Sequence, residues 1–107
     1  MVDPLLVVLC TVPDMDVGLR LANGIVGERL AACVNIVPNV RSVYVWDGNV
    51  EDASEAQLLI KTMRSRYDAL AAWIAANHPY DVPEIVALEA AHVSDAYFGW
   101  AVEQTRA

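Results

Sequence analysis

The chain is poor in positive charge. Its 107 residues include 7 Lys and Arg against 14 Asp and Glu, which gives a formal net charge of −7. Binding to a nucleic acid backbone depends on clustered Lys and Arg, and no such cluster occurs. We therefore expect no nucleic acid partner and no docking on an anionic membrane surface. The negative field instead raises the local concentration of cations, which agrees with a protein that handles metal ions.

Cysteine is scarce as well. Cys10 and Cys33 are the only two, both in apolar surroundings, and they form neither a disulfide framework nor a CxxC metal knuckle. The segment MVDPLLVVLCTV at residues 1–12 has neither the basic region nor the cleavage motif of a signal peptide. No apolar run reaches the length that spans a membrane. The expected location is the cytoplasm, where thiols stay reduced.

Motifs of catalysis are missing. The patterns GxSxG, HExxH, the Walker loop and GxGxxG, which mark nucleophilic, zinc-dependent, P-loop and dinucleotide-binding chemistry, do not occur. Acid–base work by His78 with Tyr80 or Glu84 is chemically conceivable, but the sequence gives it no specific support. We expect a protein that is not an enzyme and has no organic cofactor.

Apolar sequence, by contrast, is abundant. Hydrophobic residues make up 56% of the chain and the mean hydropathy is +0.34. A small domain has proportionally more surface than a large one, so this composition indicates burial between subunits. We expect a homo-oligomer. A tight, Ala-rich monomer is the alternative, because scattered apolar residues on a surface are normal.

The first part of the chain predicts a strand and a helix. Residues 5–12, LLVVLCTV, are continuously apolar and rich in β-branched side chains, as in a strand that is buried on both faces. Asp14 is placed to cap a helix, and the apolar spacing continues to about Ala32. These two elements begin a β-α pattern.

A long hairpin follows over residues 33–63. Asp47-Gly48 is a strong signal for a tight hairpin turn. Pro38 interrupts the first arm, and a proline inside a strand indicates an edge or a bulge. Each arm can exceed the usual strand length of about 5–6 residues. We expect the far end of so long a hairpin to pack on another subunit.

Several hairpin residues are assigned to the surface. Trp46, beside the turn, is interpreted as an interface anchor rather than a ligand platform. The neighbouring carboxylates are interpreted as a solvated acidic loop that attracts cations only loosely; they are Asp47, Glu51, Asp52 and Glu55.

The second part of the chain predicts a helix over 65–77 with Ser65 as its cap, a strand over 84–90, and a helix that begins at Ser94 or Asp95. The order β-α-β-β-α-β plus a terminal helix is the α+β, ferredoxin-like split βαβ pattern, an antiparallel sheet with helices on one face. We expect a single domain over 1–107. The bare face of such a sheet needs a cover, and oligomerisation is the usual one.

Five stretches together resemble the CutA divalent-cation tolerance family. They are LCTVPD at 9–14, ERLAACVNI at 28–36, YVWDGNVE at 44–51, LLIKT at 58–62 and HPYDVPEIVAL at 78–88. The resemblance runs in order from about Val7 to Trp100. It implies a cytosolic, ferredoxin-like homotrimer whose long hairpins complete sheets between subunits. It also implies a role in tolerance of copper and other divalent cations, with metal ions, copper above all, as ligands.

The resemblance places the metal ligands of the family on Cys10, His78 and Glu84. The residues themselves leave other roles open. A cysteine in an apolar strand often serves as a small hydrophobe, and a histidine at a helix C-terminus pairs well with the last carbonyls. Glu84 suits a solvated strand end or a Lys or Arg partner across a subunit interface, with Lys61 as one candidate.

Two prolines limit how these ligands can meet. Pro79 and Pro83 favour extended backbone at the residues before them. Six extended residues span up to ~20 Å, whereas bonds from a metal to His and Cys ligands are only ~2.0–2.3 Å long. We therefore expect any metal site to take ligands from two subunits, or to use His78 with few partners and modest affinity.

A second function fits the same assembly. Ferredoxin-like trimers also resemble PII signalling proteins, which bind small effectors in clefts between subunits. That alternative predicts ligand binding near His78 and Tyr80, a residue that otherwise serves as a core or interface anchor. The short Asp47-Gly48 turn argues against a long flexible loop of the PII kind.

Overall fold

A four-stranded antiparallel sheet organises the chain. The computed structural model describes residues 3–107, so the first two residues of the N-terminal segment considered above lie outside it. The strand order is β2-β3-β1-β4. The elements are β1 (Leu5–Val12), α1 (Met15–Gly27), β2 (Cys33–Trp46), β3 (Asn49–Met63), a 3-10 turn (Arg64–Arg66), α2 (Tyr67–Asn77), β4 (Val86–Glu89) and α3 (Asp95–Gln104). This is the predicted α+β order, and the fold prediction is confirmed.

Strand β1 is the centre of the sheet. It pairs with β3 over its whole length, from Leu5↔Met63 to Val12↔Ala56, and with β4 over a shorter stretch. Successive side chains of a strand point to opposite faces. One face, here called the helix side, carries Val8, Cys10 and Val12 and packs against α1 and α2 through the side chains Leu21, Ile25, Leu70 and Ile74. None of these side chains has measurable exposure.

The other face, here called the open side, carries Val7, Leu9 and Thr11. Helix α3 covers one end of it, in a small cluster with Leu5 and Met63. The remainder has no cover within residues 3–107. Directly opposed residues of paired strands share a face. The open side therefore also holds the residues opposite Val7 and Leu9, which are Leu59, Lys61, Val86 and Leu88, and the β2 residues opposite Leu59 and Lys61, which are Asn35 and Cys33.

The hairpin of β2 and β3 continues past the sheet. Its turn follows the expected chemistry, with Asp47 at φ 52° and Gly48 at φ 78°, as a two-residue turn of type I′ requires. The expected bulge at Pro38 is present, since the pairing register shifts between Val37 and Val40. Because β1 ends opposite Ala56, the outer part of the hairpin is two-stranded. It gives the molecule a long axis of 44 Å.

Two predicted helix ends are wrong. Helix α1 ends at Gly27 instead of Ala32, because Arg29 takes a positive φ of 59° and the Leu30 N–H turns back to the Ile25 carbonyl. This reversal still carries Leu30 into the core. Ser65 does not cap α2, which begins at Tyr67. The backbone N–H and the hydroxyl of Ser65 instead donate to the carboxylate of Asp3.

The remaining end predictions hold in part. Asp14 accepts a hydrogen bond from the Val17 N–H and so caps α1 as predicted, and Ser94 caps α3 through the Tyr97 N–H. The last strand is shorter than predicted and covers only Val86–Glu89, because the two residues before it, Glu84 and Ile85, belong to the loop that follows α2. None of the helices in the described part of the chain is long and apolar enough to cross a membrane.

Candidate functional site

A cleft of about 630 Å³ lies where the hairpin leaves the sheet. Three segments form it: the end of β1, the two strands of the outer hairpin, and the loop between α2 and β4. The lining residues used below are Thr11, Tyr44, Trp46, Glu55, Tyr80 and Glu84. The pocket is open, partly aromatic and acidic.

His78 fastens the loop to the end of β1. Helix α2 stops at Asn77, and His78 is extended at φ −78° and ψ 141°, as Pro79 requires. The ring Nε2–H donates to the Thr11 carbonyl at 2.8 Å, and Nδ1 accepts from the Tyr80 N–H at 3.0 Å. A carbonyl only accepts and an N–H only donates, so the ring is the neutral tautomer with its proton on Nε2.

Tyr80 carries the contact into the cleft. Its ring packs against the ring of His78 with centroids 4.7 Å apart, and its hydroxyl donates to Glu55 Oε2 at 2.6 Å. Burial raises the pKa of the Tyr80 hydroxyl, and the hydrogen bond and charge of Glu55 raise it further. The phenol is therefore neutral at physiological pH and remains a donor to the carboxylate. The bond joins the loop to the base of the hairpin.

Glu55 corrects the interpretation of the hairpin acids. The sequence places it in a solvated acidic loop, but it is only 8% exposed and is bonded to Tyr80. The reason is its position beside Ala56, the first residue of β3 that pairs with β1. At that point the hairpin is still flanked by the rest of the molecule. The sequence did contain a signal for this burial: counted from the Asp47-Gly48 turn, Glu55 lies far enough along the strand to be next to the rest of the sheet.

Glu84 brings a second carboxylate to the same place. Its Oε1 is cut off from solvent and has no hydrogen-bond partner within residues 3–107. Such an oxygen is costly, because desolvation of an ionised carboxylate is offset only by a donor or a positive charge. Glu84 is thus the side chain of the cleft whose oxygen can still accept a hydrogen bond or bind a cation.

Cys10 lies behind the cleft, on the helix side. Its thiol has no measurable exposure. Burial, and then the charges of Glu84 and Glu55, raise its pKa to about 12. The thiol is therefore protonated at neutral pH, whereas metal binding and nucleophilic attack need the thiolate. In this chain it packs as a small hydrophobe, the alternative role left open for it.

The three predicted metal ligands therefore gather at one end of the sheet without forming a metal centre in one chain. Cys10 is protonated and buried, and both ring nitrogens of His78 are engaged. Only Glu84 has a free donor atom. No group of three or more His, Cys, Asp or Glu side chains in the part of the chain described is arranged to hold a metal ion. A site shared by two subunits stays a prediction.

Sequence reasoning missed the contacts that build the cleft. His78 meets the Thr11 carbonyl across 67 residues, and Tyr80 meets Glu55 across 25. It interpreted Trp46 as an interface anchor rather than a ligand platform, whereas in the structure Trp46 is 54% exposed and lines the cleft beside Tyr44. An acidic pocket with aromatic walls suits a cationic ligand.

Comparison with known proteins identifies the family. Residues 6–104 match the family model described as "CutA1 divalent ion tolerance protein". A curated relative is "Protein CutA, chloroplastic" from Arabidopsis thaliana, 50% identical over 103 residues. Those residues are 96% of this chain but 57% of the plant protein, so the chain spans little more than half of that relative.

A bacterial relative and a crystal structure match over nearly their whole length. "Divalent-cation tolerance protein CutA" from Thermus thermophilus is 48% identical over 99 residues, 92% of this chain and 96% of that protein. The crystal structure of CutA1 from Oryza sativa superposes with a TM-score of 0.94 at 48% identity. It covers 96% of this chain and 94% of the rice chain. Nearly the whole fold described above is thus shared with them.

Proposed function

The chain belongs to the CutA1 divalent ion tolerance family, and we propose on this premise that it is a non-enzymatic homotrimer that supports tolerance of copper and other divalent cations. The chain acts as one domain over 1–107, in the cytoplasm, and binds metal ions weakly. The observation that carries the metal-binding part is the free Oε1 of Glu84 in an acidic cleft.

Self-association is supported by the apolar surface of a single chain. On the open side, Val86 is 46% and Leu88 is 52% exposed. The outer hairpin adds further exposed apolar side chains, namely Val43, Val45, Trp46 and Val50. Strands β2 and β4 are also edges of the sheet. Unpaired edges and contiguous apolar surface favour pairing with another copy.

The chemistry of the three ligands explains why binding is weak. Glu84 has an oxygen without a hydrogen-bond partner among the residues described, but that atom is cut off from solvent. Cys10 must lose a proton that its burial retains, and His78 must give up a bond to Thr11 or to Tyr80. A soft thiolate suits Cu(I), so copper is the ion expected if Cys10 takes part. A neighbouring subunit supplies the remaining ligands.

Native mass spectrometry of the full chain tests assembly and metal binding together. We expect a trimer that retains Cu or Zn in the wild type and loses it in His78→Ala and Glu84→Gln. Glu28→Gln is the matched control, because Glu28 is exposed at the end of α1 and only its backbone N–H is used there. A monomer would contradict the trimer, and equal adducts in all four proteins would contradict the metal site.

The cleft itself favours a second function, a PII-like signalling or scaffold protein with a small effector. Its volume of about 630 Å³ lies in the range of small-molecule sites, and polar groups converge in it from three segments. In this function Tyr80 and Glu55 shape the pocket and His78 positions them. Calorimetric titration with candidate effectors tests it. Binding that is lost in Tyr80→Ala and kept in Glu28→Gln is the expected result, and effector binding unchanged in Tyr80→Ala would contradict it.

A further inference from the structure

We propose that the cleft binds a primary ammonium group carried on an apolar stem, with Glu84 as its main anionic partner and Glu55 as the second. This inference rests on the second function above, the cleft as an effector site, and names the chemistry of its ligand. It does not depend on copper binding.

Three carboxylates line the cleft, those of Glu55, Asp81 and Glu84, and Asp81 is exposed to solvent. The two less exposed ones, Glu55 and Glu84, are unequal, and their inequality defines the ligand. Glu55 already uses Oε2 to accept from the Tyr80 hydroxyl at 2.6 Å. Glu84 has a buried Oε1 with no donor among the residues described. A cation with N–H groups supplies both missing components, a positive charge and a directed donor, and such charge-assisted hydrogen bonds are the strong ones.

The donor set of a single chain fits an ammonium group better than a metal ion, which would need further ligands from a second subunit. Calcium needs 6–8 oxygen ligands and magnesium a near-octahedral shell, whereas zinc and copper favour imidazole and thiolate. Here the ring nitrogens of His78 are both bonded and the Cys10 thiol is buried. An ammonium group makes three hydrogen bonds and needs no such shell.

The walls of the cleft fit an organic stem. Tyr44, Trp46 and Val82 line it together with the carboxylates. An alkyl chain can pack on these side chains, and the aromatic rings attract a nearby cation through their negative faces. A bare inorganic cation gains nothing from Val82. The ligand class is therefore an amine with an apolar body.

Two sources can supply this group. One is a free small amine. The other is Lys61 of a second copy, because Lys61 lies on the open side, which the proposed trimer packs together. In its own chain Lys61 donates to Asn35 Oδ1 and has no carboxylate within 4.0 Å among residues 3–107. Both sources present the same ammonium group on an alkyl stem.

The first arm of the test titrates the full-length wild type with n-pentylamine at neutral pH by calorimetry. n-Pentanol is the neutral control of the same shape. If the source is a free amine, n-pentylamine binds, n-pentanol binds about tenfold or more weakly, and Glu84→Gln loses a similar factor. Glu28→Gln keeps the wild-type affinity.

The second arm uses Lys61→Ala. If Lys61 of another copy fills the cleft, the wild type binds no amine. The variant then has a lower Tm, n-pentylamine binds it and restores the Tm, and n-pentanol does not. Adding Glu84→Gln to Lys61→Ala abolishes the rescue. Either pattern supports the inference and identifies the source, and amine binding to neither protein overturns it.

A third measurement needs no change at Glu84. The chain has three tryptophans, and of these only Trp46 lines the cleft. In whichever protein binds the amine, n-pentylamine should shift the indole N–H resonance of Trp46 and leave those of Trp73 and Trp100 in place. Binding without a shift of Trp46 overturns the assignment to the cleft. Calorimetric titration with effectors that are not amines, compared between the wild type and Tyr80→Ala, tests the cleft as an effector site separately. Failure of the amine inference is therefore distinguishable from failure of the effector function.

Discussion

The two faces of the sheet are made from alternating residues of the same strands, yet they have different environments. On the helix side, Cys10, Leu58 and Ile60 are sealed under α1 and α2. On the open side, Leu9, Leu59 and Lys61 keep part of their surface. The difference shows that one strand serves two purposes. The helix side stabilises the single chain, and the open side remains available for association.

The reactivity of the two cysteines gives the largest expected contrast. Cys10 faces the helix side, and burial raises its pKa from 9.0 to about 12. The difference of three units lowers its thiolate fraction by a factor of about a thousand at a given pH. Cys33 lies on the open side and is partly exposed. At a protein concentration low enough to dissociate the proposed trimer, iodoacetamide followed by peptide mass spectrometry should label Cys33 in the folded chain and Cys10 only after unfolding. Equal labelling rates would remove the contrast.

Among single truncations, one on the helix side should lower the free energy of unfolding most. Ile60 has no measurable exposure. We expect Ile60→Ala to lower the free energy of unfolding by about 2–5 kcal/mol, through lost burial and a cavity. The matched control is Leu59→Ala, one residue away on the open side. Urea denaturation at low protein concentration measures both, and an equal loss in Leu59→Ala would contradict the division of the faces.

The raised pKa of the Cys10 thiol predicts that the protein loses stability at alkaline pH. A raised pKa means that the folded state holds the proton more tightly than the unfolded state does. The contribution of Cys10 is therefore complete below pH 9 and is lost as the pH rises from 9 towards 12. The loss approaches ~1.4 kcal/mol per pH unit within that window. Cys10→Val should flatten this part of the stability curve. A curve that stays as steep in Cys10→Val as in the wild type would show that another group titrates.

A buried hydroxyl on the helix side gives a smaller effect. Thr62 has no measurable exposure and its Oγ1–H donates to the Leu30 carbonyl at 2.6 Å. We expect Thr62→Val to cost about 1–3 kcal/mol, because the carbonyl loses its donor while the packing volume is kept. Thr11→Val, on the open side, is the control, with little change expected. Chemical denaturation of the two variants measures the difference.

The open side gives the smallest effect within one chain. Leu88 is 52% exposed on strand β4. Leu88→Ala should change the stability of the isolated chain by no more than about 0.5 kcal/mol. If this side is an interface, the loss grows with protein concentration as the wild type associates. Analytical ultracentrifugation with denaturation at several concentrations measures both terms, and a small loss at every concentration would mean that Leu88 lies outside any interface.

The sequence predicted the elements well wherever the controlling signals are local. The apolar run of β1, the caps at Asp14 and Ser94 and the Asp47-Gly48 turn all act within a few residues. Of the two wrong helix ends, the one at α2 lies where a distant residue competes. Ser65 is bound by Asp3 from 62 residues away instead of capping α2.

The predicted metal ligands lie close to one cleft in the structure, and their role in binding a metal stays a prediction. His78, Glu84 and Cys10 are all near the cleft, yet His78 holds the loop and Cys10 packs in the core. Glu55 was placed on the surface, because nothing in its neighbours along the chain shows that Tyr80 reaches it. Patterns of residue type therefore indicated this end of the molecule. They could not indicate whether each side chain there is protonated, buried or already hydrogen-bonded.

The sequence by itself determined the order of the elements and the antiparallel hairpin with its turn and bulge. These features depend on backbone preferences and on side-chain periodicity, which act over a few residues. Only the tertiary structure decided that His78 meets Thr11, that Tyr80 meets Glu55, and that Glu84 is left with an oxygen that has no partner within residues 3–107. These outcomes depend on desolvation and on hydrogen bonds between segments brought together by folding, and no local pattern encodes such pairings.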